Sequence, residues 1–245
     1  MAEGSADVSS LEERLQRVER EAASKERQLE RYAADLRETF KQERAAAQRL
    51  RESYMATVRA LSNAVEARDA YTGKHAERVA AYGLALARAT GTRLADDPAI
   101  EFGFLLHDVG KVAVPDAILF KPDLLSVEER KVMERHTVIG WEIVKDIDFL
   151  GEARLVVRHH HERWDGMGYP DRLAGEEIPL AARVFCVADV LDALTTDRPY
   201  RRRSSLAEAQ GIIRENAGTQ FDPAVVEAFA TLDDDELHHI RTTIA

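Results

Sequence analysis

The chain carries a single cysteine, Cys186, so no intramolecular disulfide can form. It sits in the apolar run Val184-Phe185-Cys186-Val187-Ala188, where its expected role is that of a small buried hydrophobe. No apolar run approaches the roughly 20 residues that a helical membrane span requires, and Met1–Ser10 lacks the apolar core of a secretion signal. A cytoplasmic location is expected. Excess positive charge is lacking as well: 34 Lys and Arg stand against 44 Asp and Glu, a net charge of −10, which disfavours nonspecific binding to long nucleic acid. No stretch alternates apolar and polar residues strictly enough for a strand, so an all-α fold is expected. With 45% hydrophobic and 32% charged residues, the 245-residue chain can build one core of moderate size plus an extension.

Glycine and proline are absent from about Val8 to Glu66, and aromatic residues are almost so. What remains, rich in Glu, Arg, Gln and Ala, reads as one long solvated helix. Leu15, Ala22, Leu29, Leu36 and Leu50 fall on one line of a seven-residue repeat, and Leu11, Val18, Tyr32 and Ala46 on a second; Lys25, Thr39 and Glu43 are the weak positions. Such a seam suits a parallel coiled-coil homodimer. The competing reading is a single helix packed on the rest of the chain. Residues 1–66 are thus expected to be a signalling and dimerisation helix and residues 67–245 a catalytic domain. Asp69–His75 interrupts the helix, with Gly73 bending the chain. Further helices are expected from His75 towards Gly91 and near Ala99–Leu106, Val127–Arg135, Thr137–Lys145 and Gly151–His161. Four more follow near Ala181–Thr195, Ser205–Asn216, Pro223–Thr231 and Asp235–Thr242.

Against this background the histidines stand out. His75, His107-Asp108, His136, His159-His160-His161 and Asp189 hold six of the eight imidazoles in the chain. Imidazoles and carboxylates bind borderline transition metals, so the series points to a two-metal hydrolase site. Each piece alone has a plainer reading: a His-Asp pair can be a hydrogen-bonded helix end, and three histidines in a row a solvated run. Together they favour metal. His238 and His239 lie in a polar segment and read as surface residues. The run Arg198-Pro199-Tyr200-Arg201-Arg202-Arg203 is either a solvated face or a group that gathers an anionic substrate.

His107-Asp108 followed by Gly110-Lys111, with His160-His161-Glu162, Asp165-Gly166 and Gly168-Tyr169-Pro170 at matching offsets, resembles the HD-GYP domain, a branch of the HD phosphohydrolases. The resemblance runs from about Asp69 to about Phe229. It implies a helical bundle of the HD type and a bacterial phosphodiesterase that hydrolyses cyclic di-GMP at an iron or manganese centre. By that resemblance His75, His107 and Asp189 hold one divalent metal and His136, His160 and His161 the other. Asp108 bridges the two. Lys111 then offsets phosphate charge or assists the departing 3′-oxygen, unless it only complements its helix end. Tyr169, Arg198 and Arg201 are implied as substrate contacts, whereas Glu162 and Asp165 are expected to orient the imidazoles or the loop. Gly166 and Gly168 are expected to give the loop backbone its freedom.

Some relatives carry a glutamate four residues before the first metal histidine and hold three metals. This chain has Tyr71 there, which favours two metals and leaves open whether hydrolysis ends at linear pGpG or goes on to GMP. The alternatives are an HD hydrolase of another cyclic mononucleotide or dinucleotide, and a sensor or interaction module that binds cyclic di-GMP without turnover. An upstream sensory or regulatory partner is compatible with either enzymatic reading.

Overall fold

The computed structural model describes residues 3–68, 74–197 and 202–244. These form α-helices joined by turns and short 3-10 segments, with no β-strand among the described residues: α1 Glu3–Glu66, α2 His75–Ala89, α3 Ile100–Leu105, α4 Asp116–Leu119, α5 Val127–Glu134, α6 His136–Val144, α7 Arg154–His159, α8 Leu180–Thr195, α9 Leu206–Glu215, α10 Pro223–Phe229 and α11 Asp234–Thr243. The fold is all-α, as the missing alternation implied. No helix among the described residues is long and apolar enough to cross a membrane. Gly73, Tyr71, Arg198 and Arg201, each given a role above, lie outside the described residues.

The chain divides into two compact units, Met1–Tyr54 and Met55–Ala245. In the first, α1 presents Leu15, Val18, Leu29, Tyr32 and Leu36, each more than half exposed. These lie on the heptad lines read from the sequence. Polar neighbours pair along the helix surface, as Arg17 Nε does with Glu21 at 3.3 Å.

The second unit takes in the last turns of α1. Val58 is buried, Ser62 Oγ donates to the Leu105 carbonyl at 2.9 Å, and Arg59 pairs with Glu101. The Glu66 carboxylate accepts from the backbone amides of Lys74 at 3.1 Å and Ala76 at 2.6 Å. Amides at a helix start have no partner within the helix and carry partial positive charge, so a carboxylate there both satisfies and stabilises them. This contact fixes the first turn of α2, where His75 lies.

The core is built on α2 packed along α8. Val79 and Leu86 of α2 join Phe104 of α3, Val156 and Val157 of α7, and Phe185 and Leu191 of α8, with Ile213, Phe229 and Leu237 closing the C-terminal side. The mostly apolar α8 buries most of its residues, with Asp192 and Thr195 among the buried ones. Ser126 with Glu129 and Ser205 with Glu208 form capping boxes that start α5 and α9.

Two helices differ in extent from the sequence expectation: α1 begins at Glu3 rather than near Val8, and α7 is shortened at both ends. Gly151 adopts φ 46°, ψ −129°, which breaks the expected Gly151–His161 helix into a 3-10 turn at Asp148–Ala153 and the short α7. The helix ends at His159, so His160 and His161 follow it. The four-residue α4 and the 3-10 segments Arg93–Asp96 and Val109–Ala113 carry too few residues to show a period.

Candidate metal centre

Four of the candidate ligands sit at helix ends. His75 opens α2, His107 follows α3, His136 opens α6 directly after α5, and His160 caps α7. Gly110, in the 3-10 segment after Asp108, lets that segment press on α6: a Cβ there would overlap the His136 carbonyl and the Gly140 amide. The sequence Asp108-Val109-Gly110-Lys111 thereby brings the His107-Asp108 pair against His136.

The ring nitrogens divide their labour. His107 Nδ1 lies 2.9 Å from the Phe104 carbonyl and His136 Nδ1 2.8 Å from that of Met133. His160 Nδ1 lies 3.1 Å from the carbonyls of Val156 and Val157. A carbonyl only accepts, so each Nδ1 carries the proton and donates it, and in the neutral ring Nε2 is a bare lone pair. His75 follows the same rule with a carboxylate, donating from Nδ1 to Asp192 at 2.7 Å.

These Nε2 atoms converge on carboxylates and on each other. His107 Nε2 is 3.0 Å from Asp108 Oδ2, while His136 and His160 Nε2 are 3.4 and 3.8 Å from Asp108 Oδ1. His136 Nε2 and His160 Nε2 face one another at 3.2 Å, and His75 Nε2 is 3.4 Å from Asp189 Oδ1. Asp108 Oδ1 is buried without a hydrogen bond. Lone pairs opposed at such distances repel unless a proton or a cation lies between them. Two sets of ligand atoms, Asp108 with His136, His160 and His161, and Asp108 with His75 and His107, each gather within 4.8 Å. The donor chemistry fits transition-metal cations.

The surroundings hold these groups in the ligating protonation state. Burial works against ionisation of Asp108, but Lys111 and His107 outweigh it and hold the carboxyl well below the usual carboxylate range; Lys111 Nζ lies 2.8 Å from Oδ2. Burial, with the neighbouring imidazoles, keeps His160 far below the ordinary histidine value, lowers His136, and takes His161 down to about 3. His75 goes the other way: burial is outweighed by the hydrogen bond to Asp192 and by the charge of Asp189.

The structure also shows what the sequence reading missed. Asp192, one turn beyond Asp189 on α8, is buried between His75 and Arg78 and accepts from Arg78 Nε at 2.6 Å and Nη2 at 3.1 Å. The signal was the pair Asp189 and Asp192, three apart in an otherwise apolar helix. His159 points away from the other two histidines, with Nδ1 3.5 Å from Asp171 Oδ2 and 3.9 Å from Glu162 Oε1.

The loop after the imidazoles folds back on them. Glu162 accepts from the Asp171 amide at 2.7 Å, Arg158 grips the Asp171 side chain through two hydrogen bonds, and Asp165 accepts from the Met167 amide and pairs with Arg163. Gly166 takes a positive φ of 73°, whereas Gly168 is required by proximity, since a Cβ there would overlap the Glu162–Arg163 backbone. The loop lays the Tyr169 ring against His161, centroids 4.8 Å apart. Burial and nearby carboxylates push the Tyr169 phenol up, so it stays a neutral hydroxyl.

A family model of the HD domain matches residues 59–225. The chain belongs to the HD-domain family. The HD-GYP resemblance read from the motifs has its counterpart in curated relatives of about 40% identity. The cyclic di-GMP phosphodiesterase response regulator RpfG of Xanthomonas campestris pv. campestris is 40% identical over 174 residues, 70% of this chain and 46% of that protein. The 3′3′-cGAMP-specific phosphodiesterase 2 of Vibrio cholerae is 40% identical over 180 residues, 73% of this chain and 34% of that protein. The chain therefore spans less than half the length of these relatives. Two solved structures share the HD fold: a V. cholerae cyclic GMP-AMP-specific phosphodiesterase, with TM-score 0.58, 20% identity, and coverage of 75% of this chain and 50% of that one, and Bd1817 of Bdellovibrio bacteriovorus, with TM-score 0.54, 21% identity, and coverage of 73% and 62%.

Proposed function

We propose that this chain is a metal-dependent phosphodiesterase that opens the ring of cyclic di-GMP to linear pGpG, or onward to GMP, in bacterial signalling in the cytoplasm. The observation that carries the reading is the buried, unpartnered Oδ1 of Asp108, faced by imidazole Nε2 atoms whose Nδ1 protons are already committed. A hydrolytic dinuclear site needs just such a shared carboxylate between neutral imidazoles. Relatives near 40% identity that are named cyclic di-GMP phosphodiesterases support the substrate.

In this reading His75, His107 and Asp189 would hold one ion and His136, His160 and His161 the other, and Asp108 would serve both. Two ions, iron or manganese, suit the seven ligands. Bound there, they would polarise the phosphoryl oxygens and activate water for attack. The chain's own groups do the rest. Buried, neutral imidazoles present lone pairs at neutral pH. Asp192 holds His75 in the tautomer that aims Nε2 at Asp189. Lys111, held against Asp108, offers a charged donor beside the carboxylate, placed to offset phosphate charge and to give a proton to the leaving 3′-oxygen. Tyr169 offers a neutral hydroxyl to a phosphate oxygen. Arg198 and Arg201, read as phosphate contacts, lie outside the described residues.

The exposed apolar stripe on α1 supports a parallel homodimer through residues 1–66, transmitting a signal from an upstream sensory partner to residues 67–245. A second substrate, 3′3′-cGAMP, is favoured by the V. cholerae relatives specific for it. Product analysis with purified, anaerobically metal-loaded protein separates the readings. Conversion of cyclic di-GMP to pGpG or GMP is expected. Turnover of 3′3′-cGAMP alone would move the substrate, and tight binding of cyclic di-GMP without product would make the chain a sensor.

A further inference from the structure

Beside the metal centre lies a cleft of about 420 Å³, between the helix that runs through α5 into α6 and the Gly166–Arg172 loop. Its volume falls within the range of sites that take small organic ligands. Tyr169 belongs to both: it lines the cleft and lies against His161. The opposite wall is a stripe of Lys131, Glu134, Arg135 and Val138, spaced i, i+3, i+4 and i+7, which is one face of a helix. Arg172 completes the charged lining.

Two features of this lining call for a ligand. Three cationic side chains gather around one cleft in a chain of net charge −10. None of them pairs with a carboxylate among the described residues, although Glu134 is in their midst. Carboxylates in comparable surroundings do pair, as Glu129 does with Lys121 at 2.6 Å and Asp171 with Arg158 at 2.7 Å. Glu134 is only partly exposed, and its carboxylate makes no ion pair or hydrogen bond among the described residues.

We propose that this cleft is the subsite for a guanine base of the cyclic dinucleotide, and that Glu134 is the residue that reads it. The proposal rests on the phosphodiesterase reading above and adds the base requirement to it. Guanine presents two adjacent donors on its pairing edge, N1–H and N2–H, and a carboxylate accepts both side by side. Adenine presents an acceptor at N1, which the same carboxylate repels. The cations at Lys131, Arg135 and Arg172 suit the guanine O6 and N7 acceptors and the phosphates that join the two nucleosides. A base seated here lies across Tyr169 from the imidazoles, so that base recognition and the reacting phosphate share one side chain.

The test is Glu134→Gln, which keeps the shape of the side chain and replaces one acceptor by a donor facing a guanine donor. Cyclic di-GMP is compared with bis(p-nitrophenyl) phosphate, a phosphodiester without a base, on metal-loaded wild type and variant. Two hydrogen bonds to a charged acceptor predict a fall of about 30-fold or more in the ratio of kcat/KM for cyclic di-GMP over the base-free diester, with metal content unchanged. A ratio unchanged within threefold would overturn the proposal, whether both activities fall together or neither does. If the wild type hydrolyses the simple diester but not cyclic di-GMP, the substrate reading fails instead. Calorimetric binding of cyclic di-GMP then decides the subsite: loss of binding in the variant supports it, and equal binding, or none to the wild type, refutes it.

Discussion

Asp192→Asn removes one charge from the best-buried ion network near the site. Asp192 and Arg78 are 1% and 6% exposed, and the carboxylate receives four hydrogen bonds, two from the Arg78 guanidinium, one from His75 Nδ1 and a longer one from the Thr196 hydroxyl at 3.4 Å. Breaking one partner of such a pair leaves a charge uncompensated in the interior and costs about 3 to 5 kcal/mol. The amide of Asn keeps one acceptor, so the lower end, about 3 kcal/mol, is expected; for a chain of this size that corresponds to a fall in Tm of roughly 6 to 12 °C in metal-free protein. The same change frees His75 to flip or change tautomer, and loss of an orienting partner of this kind typically weakens metal binding by about 10- to 100-fold. Thermal melting followed by circular dichroism gives the first quantity, and competition with a chelator of known affinity the second. The double variant Arg78→Met, Asp192→Leu separates them: it should recover most of the lost stability, since an apolar pair replaces an ionic one, without restoring metal affinity. A single variant that melts within 2 °C of wild type and binds metal normally would refute the role given to Asp192.

Elemental analysis of anaerobically loaded protein should find close to two transition-metal ions per chain, and His107→Ala or Asp108→Ala should remove metal and activity together; a value near three would show that the residue at Tyr71 does not limit the count. In light scattering the full chain should be a dimer at micromolar concentration, and Leu29→Asp with Leu36→Asp should make it a monomer, because both substitutions place charge in the heptad seam. Metal-free protein should lose stability in acid from about pH 6.5 downward. His136, His160 and His161 have folded-state values below that of a free imidazole, so the unfolded chain binds more protons at lower pH; with His161 near 3 the loss from that residue alone is about 2 kcal/mol by pH 5. His75, shifted upward, opposes part of this loss. Urea melts at several pH values check the slope, and a midpoint independent of pH between 7 and 4.5 would show that these imidazoles are not held neutral.

Most of the helices were legible because their periods were long enough to read, and α7 was misjudged at both ends for definable reasons. Gly151 looked like a helix start and is a break, since positive φ cannot be recognised from composition. His161 looked like the end of a helix that in fact stops at His159. The metal candidates were legible as residue types and order, yet the partners that aim them were not. Asp192, Arg78 and the capping contact of Glu66 act across separations of eight to more than a hundred residues, which no local pattern encodes. Lys131, Glu134 and Arg135 carry no motif in the sequence, and only the placement of the Tyr169 loop turns their helix face into the wall of a cleft.

The link between sequence and site lies in the helix ends. Carbonyls in the last turn of a helix lack amide partners further along the chain, and the C-terminal end carries partial negative charge. His107, His136 and His160 each come just after such a turn, three residues or so beyond the carbonyl that takes their Nδ1 proton. One local geometry therefore does three things at once: it satisfies a helix terminus, fixes the tautomer, and turns Nε2 inward. It also sets partial negative charge behind every ring, which favours a cation in front. The Val156 carbonyl takes the His160 amide at 2.9 Å as well as the ring, so one oxygen serves both the helix end and the tautomer. His107 and His160 thus follow the ends of the short α3 and α7, whereas His136 stands where α5 runs on into α6 and gives its Nδ1 proton to the Met133 carbonyl in passing.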